Sequence, residues 1–346
     1  MFCGANCAKR IFLQIFSFIF LMSYLLGILN VHFSDRKDFC VMTYMFEYPQ
    51  FVDFPQYGLY AYSEGRFTER TRKMFDGVPV LFLPGNSGSH MQARSLASVA
   101  LRKALNDGYE FHFDYFTISY NEELSGLYGG VLQSQTKFTA ACILKILSLY
   151  KSNKFTMTVP QSVIVIGHSM GGVIAKRLLT YPDTMGAVEM VITLAAPVQA
   201  PVLHFDRFMV DYYAQMQNEW FSYMQNHNRN SKVLISLGSG PRDVLVPSGL
   251  TSSNESSISA LTTSIPGVWV SPDHVSIVWC KQIVMKINKF LFSIVDPRTQ
   301  QINGDKGFIM TKARQFFQVR LYHTAFLFLL SDMQRYGWLP SSPKSL

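Results

Sequence analysis

The sequence predicts an α/β fold in which a mostly parallel sheet is covered by helices on both faces. Short apolar and β-branched runs alternate along the chain with longer segments whose apolar residues recur at helical spacing. This alternation is typical of parallel strands joined by helical crossovers. Several of the strand-like runs also end in glycine- and proline-rich turns, as strand ends often do. A long uncharged segment near the N terminus predicts a transmembrane helix before the folded domain.

This N-terminal segment extends from Ile11 to Val31 and contains no charged residue. At 1.5 Å per helical residue, such a segment covers a hydrocarbon core roughly 30 Å thick. A retained anchor is favoured over a cleaved signal peptide, because the apolar stretch of a signal is shorter and small residues precede its cleavage site. We expect residues 1–10 to form a cytoplasmic tail, 11–31 the anchor, 40–295 the α/β domain and 296–346 a C-terminal tail.

The strongest strand pattern is Ser162–Gly167, SVIVIG, which leads into a helical pattern over Val173–Tyr181. The other predicted strands are Val78–Leu83, His112–Tyr120, Glu189–Leu194, Lys232–Leu237 and, as the last strand, Gly267–Val270. Further helices are predicted over Gln92–Leu105, Leu127–Tyr150 and Val275–Leu291. The segment Val198–Ser231, rich in Phe, Tyr and Met, is either a lid over a lipid site or an apolar helix packed on the core.

The amino-acid composition limits the kinds of molecule that the chain is expected to bind. Only 16% of residues are charged, which is low for a soluble domain and suggests surface that faces lipid. The net charge of +8 indicates a generic basic surface or attraction to anionic headgroups. No Lys/Arg run is interleaved with aromatic residues, so nucleic acid is not an expected partner. The five cysteines form no CxxC pair, so a zinc site is not expected.

The sharpest motif is Gly167-His168-Ser169-Met170-Gly171, a G-x-S-x-G pattern between a predicted strand and a predicted helix. A tight strand-to-helix turn needs small neighbours, and it raises the serine hydroxyl above the sheet beside a helix N-terminus. The pattern therefore predicts that Ser169 is the nucleophile of an α/β-hydrolase fold. His168, adjacent to the turn, is expected to point into the core.

A serine nucleophile needs a base and a group that orients the base. In this fold they follow in the order Ser, Asp/Glu, His, on loops after later strands. Asp243 follows the KVLISL strand, and His274 lies between the last predicted strand and a helix. We therefore predict Asp243 as the acid and His274 as the base. Asp273 is a competing acid, but an immediate neighbour in sequence seldom points at the ring nitrogen that it would have to orient.

Two backbone N–H groups should stabilise the oxyanion of an acyl-transfer intermediate. One is expected from Met170, the residue after the nucleophile. The other is expected from the loop Pro84-Gly85-Asn86-Ser87-Gly88-Ser89, where Asn86 is favoured and Ser87 is the alternative. A phosphate-binding loop is disfavoured, because no Gly-Lys-Ser/Thr follows.

Taken with GHSMGG and the downstream Asp243 and His274, the PGNSGS loop resembles that of the GPI inositol-deacylases of the endoplasmic reticulum. The resemblance begins at the N-terminal anchor, includes Tyr44–Pro49 and Tyr57–Tyr60, and continues to about Leu291. It implies hydrolysis of the fatty acyl ester on the inositol of GPI anchors, with GPI-anchored proteins and membrane lipid as partners. It further implies that the reaction needs no metal and no cofactor, and that the catalytic domain is lumenal at the endoplasmic reticulum membrane. The sequon at Asn254 is then a glycosylation site.

Family members are much longer, with further membrane helices after the hydrolase, so the resemblance implies a shortened form. Two other functions remain open. Another membrane-associated lipase or esterase would use the same catalytic residues. A truncated, non-catalytic form would bind GPI-anchored proteins without turnover.

Overall fold

The computed structural model describes residues 15–26, 40–44, 52–64, 74–151, 156–204, 206–226 and 232–318. Its strands are β1 (Cys40–Tyr44), β2 (Gly58–Glu64), β3 (Val78–Leu83), β4 (Phe113–Ser119), β5 (Ile164–His168), β6 (Met190–Leu194), β7 (Val233–Gly238), β8 (Ile258–Leu261), β9 (Val295–Asp296) and β10 (Gln301–Ile302). Besides a helix over residues 15–26, the helices are α1 (Arg94–Asn106), α2 (Leu132–Lys151), α3 (Met170–Leu178), α4 (Arg207–Asn226), α5 (Lys281–Ser293) and α6 (Lys306–Phe317).

The main sheet has the strand order β1-β2-β4-β3-β5-β6-β7-β8. Strands β3 to β8 are parallel, whereas β2 is antiparallel to both β1 and β4. The strand order and the sharp turn between β5 and α3 confirm the predicted α/β-hydrolase fold. Because parallel strands end at a common edge, the loops after β3 to β8 all lie at one end of the domain.

The core lies on both faces of this sheet, which explains the continuous apolar runs of its central strands. On one face, Phe82 and Ile192 pack with the inner sides of α1, α5 and α6. On the other face, Leu81 and Val191 pack with α2, α3 and α4. Alternate residues of each strand thus supply opposite halves of the core.

Helix α4 resolves the two interpretations of the segment after β6 in favour of a packed helix. Its residues Met209, Tyr213 and Met216 are at most 3% exposed and belong to the core on the α2 and α3 side. The fully buried Arg177 of α3 fixes this packing. Its guanidinium donates two hydrogen bonds, of 2.9 and 2.7 Å, to the carboxylate of Glu219 on α4.

The last strand of the sheet is β8, so the predicted strand at Gly267–Val270 is wrong. That segment is a turn in which Gly267 and Trp269 have φ angles of +76° and +45°, which lie in the left-handed region and not in an extended strand. The VWV run has the residue types of a strand, whereas the serine-rich segment around β8 has a weaker strand pattern.

The domain continues beyond residue 295. Strands β9 and β10 form an antiparallel hairpin, and α6 buries Ile309, Ala313 and Phe317 completely against the core. Residues 296–318, assigned from the sequence to a tail, are therefore part of the fold. Residues 319–346 lie outside the described residues.

The predicted anchor, residues 11–31, lies only partly within the described residues. Its described part, residues 15–26, is helical, and its side chains are exposed. In the described ranges, no helix combines the length and the apolar character needed to cross a membrane.

The pair between Arg177 and Glu219 leads to a prediction about stability. Glu219→Gln should lower the free energy of unfolding by about 3 kcal/mol, because it leaves a buried guanidinium without its counter-charge. The matched control is Asp211→Asn on the same helix. Asp211 pairs with Arg207, and their side chains are 66% and 92% exposed, so this ion pair should contribute less than about 0.5 kcal/mol. Urea denaturation of the full chain in detergent would measure both. Equal losses in the two variants would contradict the role of the buried pair.

Candidate active site

Ser169 occupies the sharp turn between β5 and α3, with φ +52° and ψ −125°. Such a conformation is costly for a residue with a side chain and persists only where the surroundings enforce it. Here the chain packs so closely that a Cβ on Gly171 would lie 2.4 Å from the Leu83 carbonyl oxygen. The glycines of the motif therefore let the turn sit directly on the end of β3.

The structure brings Ser169, His274 and Asp243 together from three separate loops. His274 Nε2 lies 2.9 Å from Ser169 Oγ, and His274 Nδ1 lies 2.9 Å from Asp243 Oδ2. All three residues are at most 8% exposed. This is the geometry in which imidazole accepts the hydroxyl proton while the carboxylate orients the ring.

Backbone hydrogen bonds hold Asp243 in its loop. Its Oδ1 accepts N–H hydrogen bonds from Leu245 and Val246, at 3.1 and 2.9 Å. Burial alone would raise the pKa of Asp243, but the hydrogen bonds from His274 and these amides outweigh burial and lower it. Asp243 is therefore ionised at neutral pH, as an orienting acid must be. The competing acid, Asp273, instead accepts the N–H groups of Val275 and Ser276.

His168, predicted as a core histidine, lies directly behind His274. It is 3% exposed, and its Nε2 lies 2.8 Å from the His274 carbonyl oxygen. Because a carbonyl only accepts, His168 Nε2–H is the donor. Burial, and next the charge of His274, lower the pKa of His168 from 6.5 to about 4. His168 thus holds the backbone of His274 while remaining neutral.

The loop after β3 lies against the nucleophile. A Cβ on Gly85 would lie 2.5 Å from Ser169 Cβ, so Asn86 begins beside the serine. Met170 is the first residue of α3, where a backbone N–H has no partner within the helix. Asn86 and Met170 thus both lie beside Ser169, and their role at the oxyanion stays a prediction.

Ser87, the alternative oxyanion donor, has another partner. Its backbone N–H donates a 3.0 Å hydrogen bond to the Glu123 carbonyl oxygen, and its φ is +50°. The structure therefore disfavours Ser87 and leaves Asn86 as the candidate from this loop.

The loop after β4 holds the loop after β3 in place, and the sequence did not indicate this contact. Gly126 N–H donates to the Asn86 side-chain oxygen at 2.8 Å. The Glu123 carboxylate accepts hydrogen bonds from the Tyr57 hydroxyl and the Gln135 amide, at 2.7 and 2.9 Å. Burial, followed by the hydrogen bond to Glu123, raises the pKa of Tyr57. Only tertiary structure joins these residues, so no local pattern could have found them.

A second group of polar residues lies at the opposite end of the sheet, beside a cavity of about 250 Å³. In the described part of the chain, Asp76, His112 and Asp114 form the one cluster of potential metal ligands. His112 Nε2 is 3.2 Å from Asp114 Oδ1, and Asp114 Oδ2 accepts from Gly77 N–H and the Tyr150 hydroxyl. This cluster is separate from the candidate active site, because it lies where β3 and β4 begin.

Comparison with known families gives the context of this geometry. A family model described as "PGAP1-like alpha/beta domain" matches residues 74–294, more than half of the chain. The chain belongs to this family. The match contains the oxyanion loop and all three residues of the Ser169–His274–Asp243 arrangement.

Several curated relatives carry the name GPI inositol-deacylase. The Xenopus laevis protein is 43% identical to this chain, and the alignment covers 88% of this chain and 34% of the relative. The Rattus norvegicus protein is 42% identical, and the alignment covers 80% of this chain and 31% of the relative. The Drosophila melanogaster protein is 37% identical, and the alignment covers 86% of this chain and 34% of the length of that protein. The chain spans about a third of the length of these relatives.

Among solved structures, Bacillus licheniformis lipase BlEst2 in mature form is similar at 15% identity and a TM-score of 0.42, over 62% of this chain and 91% of that chain. The esterase Pf2001 of Pyrococcus furiosus is similar at 15% identity and a TM-score of 0.40, and the match covers 76% of this chain and 94% of that chain. Likeness at this level says nothing about activity.

The contact between Gly85 and Ser169 predicts the effect of one methyl group. Gly85→Ala should slow covalent labelling of Ser169 by a fluorophosphonate about 100-fold, because the methyl displaces the serine from His274. Gly186→Ala is the matched control, since its Cβ would meet no atom within 4 Å. Mass spectrometry of the labelled peptide measures both rates. Labelling of the Gly85 variant at the control rate would show that the close approach is unimportant.

His168 predicts a dependence of stability on pH. Its pKa is lower in the folded protein than in the unfolded chain, so the unfolded chain takes up the proton first and stability falls as the pH drops from 6.5 toward 4. Between pH 7 and 4.5 the wild type should lose about 2 kcal/mol more stability than His168→Gln, which keeps a donor for the His274 carbonyl without titrating. Urea denaturation at each pH measures the free energy of unfolding of both proteins. An equal loss of stability in the two between pH 7 and 4.5 would rule out a buried neutral His168.

Proposed function

We propose that this chain is a serine hydrolase that removes the fatty acyl ester from the inositol of GPI anchors on GPI-anchored proteins. The observation that carries the proposal is the arrangement of Ser169, His274 and Asp243, with both links at 2.9 Å. The substrate is proposed from the relatives named GPI inositol-deacylase.

The reaction begins when Ser169 Oγ attacks the ester carbonyl carbon and His274 Nε2 accepts the hydroxyl proton. The developing oxyanion is stabilised by the backbone N–H groups of Met170 and Asn86. Collapse of the tetrahedral intermediate transfers the acyl group to Ser169, and His274 returns the proton to the departing inositol oxygen. Asp243 stabilises the imidazolium throughout.

In the second half of the reaction, His274 removes a proton from water, and the resulting nucleophile attacks the acyl-serine carbonyl. The same N–H groups stabilise the second tetrahedral intermediate. Protonation of Ser169 Oγ by His274 then releases the fatty acid and restores the enzyme. The products are a free inositol hydroxyl and a carboxylic acid, and the side chains described supply every proton transfer.

For location, we propose a transmembrane anchor over residues 11–31 and a catalytic domain in the lumen of the endoplasmic reticulum. The apolar side chains of residues 15–26 are exposed, which suits contact with lipid. Asn254 is also exposed, as a glycosylated asparagine must be.

The substrate prediction is tested in deacylase-deficient cells. Expression of this chain should restore the sensitivity of GPI-anchored proteins to phosphatidylinositol-specific phospholipase C, and Ser169→Ala should abolish the rescue. In parallel, the purified chain is assayed on a soluble short-chain ester. Ester hydrolysis without rescue would indicate another membrane-associated lipase or esterase. Loss of both activities in a folded chain would favour a non-catalytic protein that binds GPI-anchored proteins.

The orientation prediction is tested by glycosylation. In cells, the chain should carry one glycan that endoglycosidase H removes, and Asn254→Gln should abolish this mobility shift. Ser253→Ala, which leaves the sequon intact, serves as the control. A chain that reaches the membrane without any glycan would contradict lumenal exposure of Asn254.

A further inference from the structure

Large apolar side chains stand exposed in the loops at the carboxyl ends of the strands. Six of those that are more than half exposed are called here the apolar rim: Leu127, Tyr128, Val244, Leu245 and Trp269 in the loops, and Phe208 at the start of α4. They follow β4, β6, β7 and β8, the strands whose ends face the same edge as Ser169. An exposed apolar surface of this kind marks a site of interaction with a partner or a membrane.

Specific contacts fix the rim around the site. Val244 and Leu245 directly follow Asp243, and the Arg242 N–H donates to Ser271 Oγ at 3.0 Å, which joins this loop to the loop of Trp269. On the other side, the rings of Tyr128 and Phe208 pack edge to face at 5.7 Å. The rim is therefore held in place by the structure that holds the triad.

Trp269 is the most informative member of the rim. Its φ is +45°, a conformation that is a real outlier for so bulky a residue. Its side chain is nevertheless 68% exposed, so packing of the indole ring does not offset the backbone strain. Strain of this kind is typical of functional segments, and an exposed tryptophan suits the boundary between water and lipid.

Charge identifies the kind of surface that the rim fits. The loops over residues 120–131, 239–257 and 262–280 contain five acidic residues, one arginine and no lysine, although the chain as a whole has a net charge of +8. Asp243 is buried against His274 and Glu255 pairs with Lys176, so these loops have little net surface charge and no basic cluster that would attract an anionic surface. Their apolar and aromatic side chains match a bilayer whose headgroups carry no net charge.

We propose that the apolar rim inserts into the surface of a zwitterionic phospholipid bilayer and places Ser169 at the lipid interface. This inference rests on the proposed function, since an acyl ester held in a bilayer is then presented directly to the nucleophile. The ester reaches the site without transfer of its acyl chains through water, which is costly in proportion to their length.

Turnover tests the role of the rim. The full chain is reconstituted in phosphatidylcholine vesicles and assayed on a long-chain ester in the bilayer and on a soluble short-chain ester. The triple variant Leu127→Gln, Phe208→Gln, Trp269→Gln should lower the ratio of bilayer to soluble turnover about ten-fold or more. The control, Met157→Gln, changes a side chain that is 69% exposed at the opposite end of the domain and should leave the ratio unchanged.

An unchanged ratio in the triple variant would overturn the inference and leave the proposed hydrolase intact. If the wild type hydrolyses neither ester, the proposed function fails, and a measurement that needs no catalysis decides the role of the rim. Brominated phosphatidylcholine should quench part of the tryptophan fluorescence of the full chain. Trp269→Phe should remove that part, whereas Trp220→Phe, a core position that is 8% exposed, should not.

The lipid charge is varied in a separate series of vesicles. Addition of phosphatidylserine to the vesicles should not increase the quenching of Trp269, and salt should not abolish it. Quenching that requires anionic lipid and disappears in high salt would overturn the proposal in favour of attraction by the basic chain. Absence of quenching in every vesicle would also overturn it and would indicate that a protein segment covers the rim.

Discussion

The left-handed backbone at Ser169 is the constraint on which the site depends. A residue in such a conformation costs about 1–3 kcal/mol, and the fold compensates by close packing of glycine backbones between β3, β5 and α3. Among the described residues, seven other than glycine have positive φ. Six of them, all except Gln300, lie in loops or turns at the carboxyl edge of the sheet. Strain is therefore concentrated where the reacting groups must be positioned.

This constraint also explains the two layers of support behind the triad. The chain can place Ser169 Oγ beside His274 only if His274 is itself immobile, and His168 and Asp243 hold it at its carbonyl and its ring. On the other side, Glu123 and Gly126 hold the oxyanion loop through Ser87 and Asn86. Both sets of contacts are buried or backbone-mediated, so they orient the groups at little cost in side-chain freedom.

The sequence predicted which three side chains meet, because the signals for them are local and ordered. Ser169 lies in a short motif whose geometry follows from its glycines, and Asp243 and His274 follow strands in the order that the fold requires. The contacts of Ser87 and Glu123 could not be predicted, because they join loops that are 36 residues apart. The strand at residues 267–270 was mispredicted because valine and tryptophan favour strands, whereas the tertiary structure makes this segment a turn in which Val268 is buried and Trp269 is exposed.

The proposed chemistry requires that His274 and Asp243 activate Ser169 as a nucleophile. Its most direct test is the rate at which a fluorophosphonate labels Ser169 in the wild type and in Asp243→Asn, with the labelled residue identified by mass spectrometry. Ser169 should be the labelled residue, and Asp243→Asn should slow labelling about 10³-fold or more while the protein stays folded. Labelling of a different serine, or an equal rate in the Asp243 variant, would contradict it.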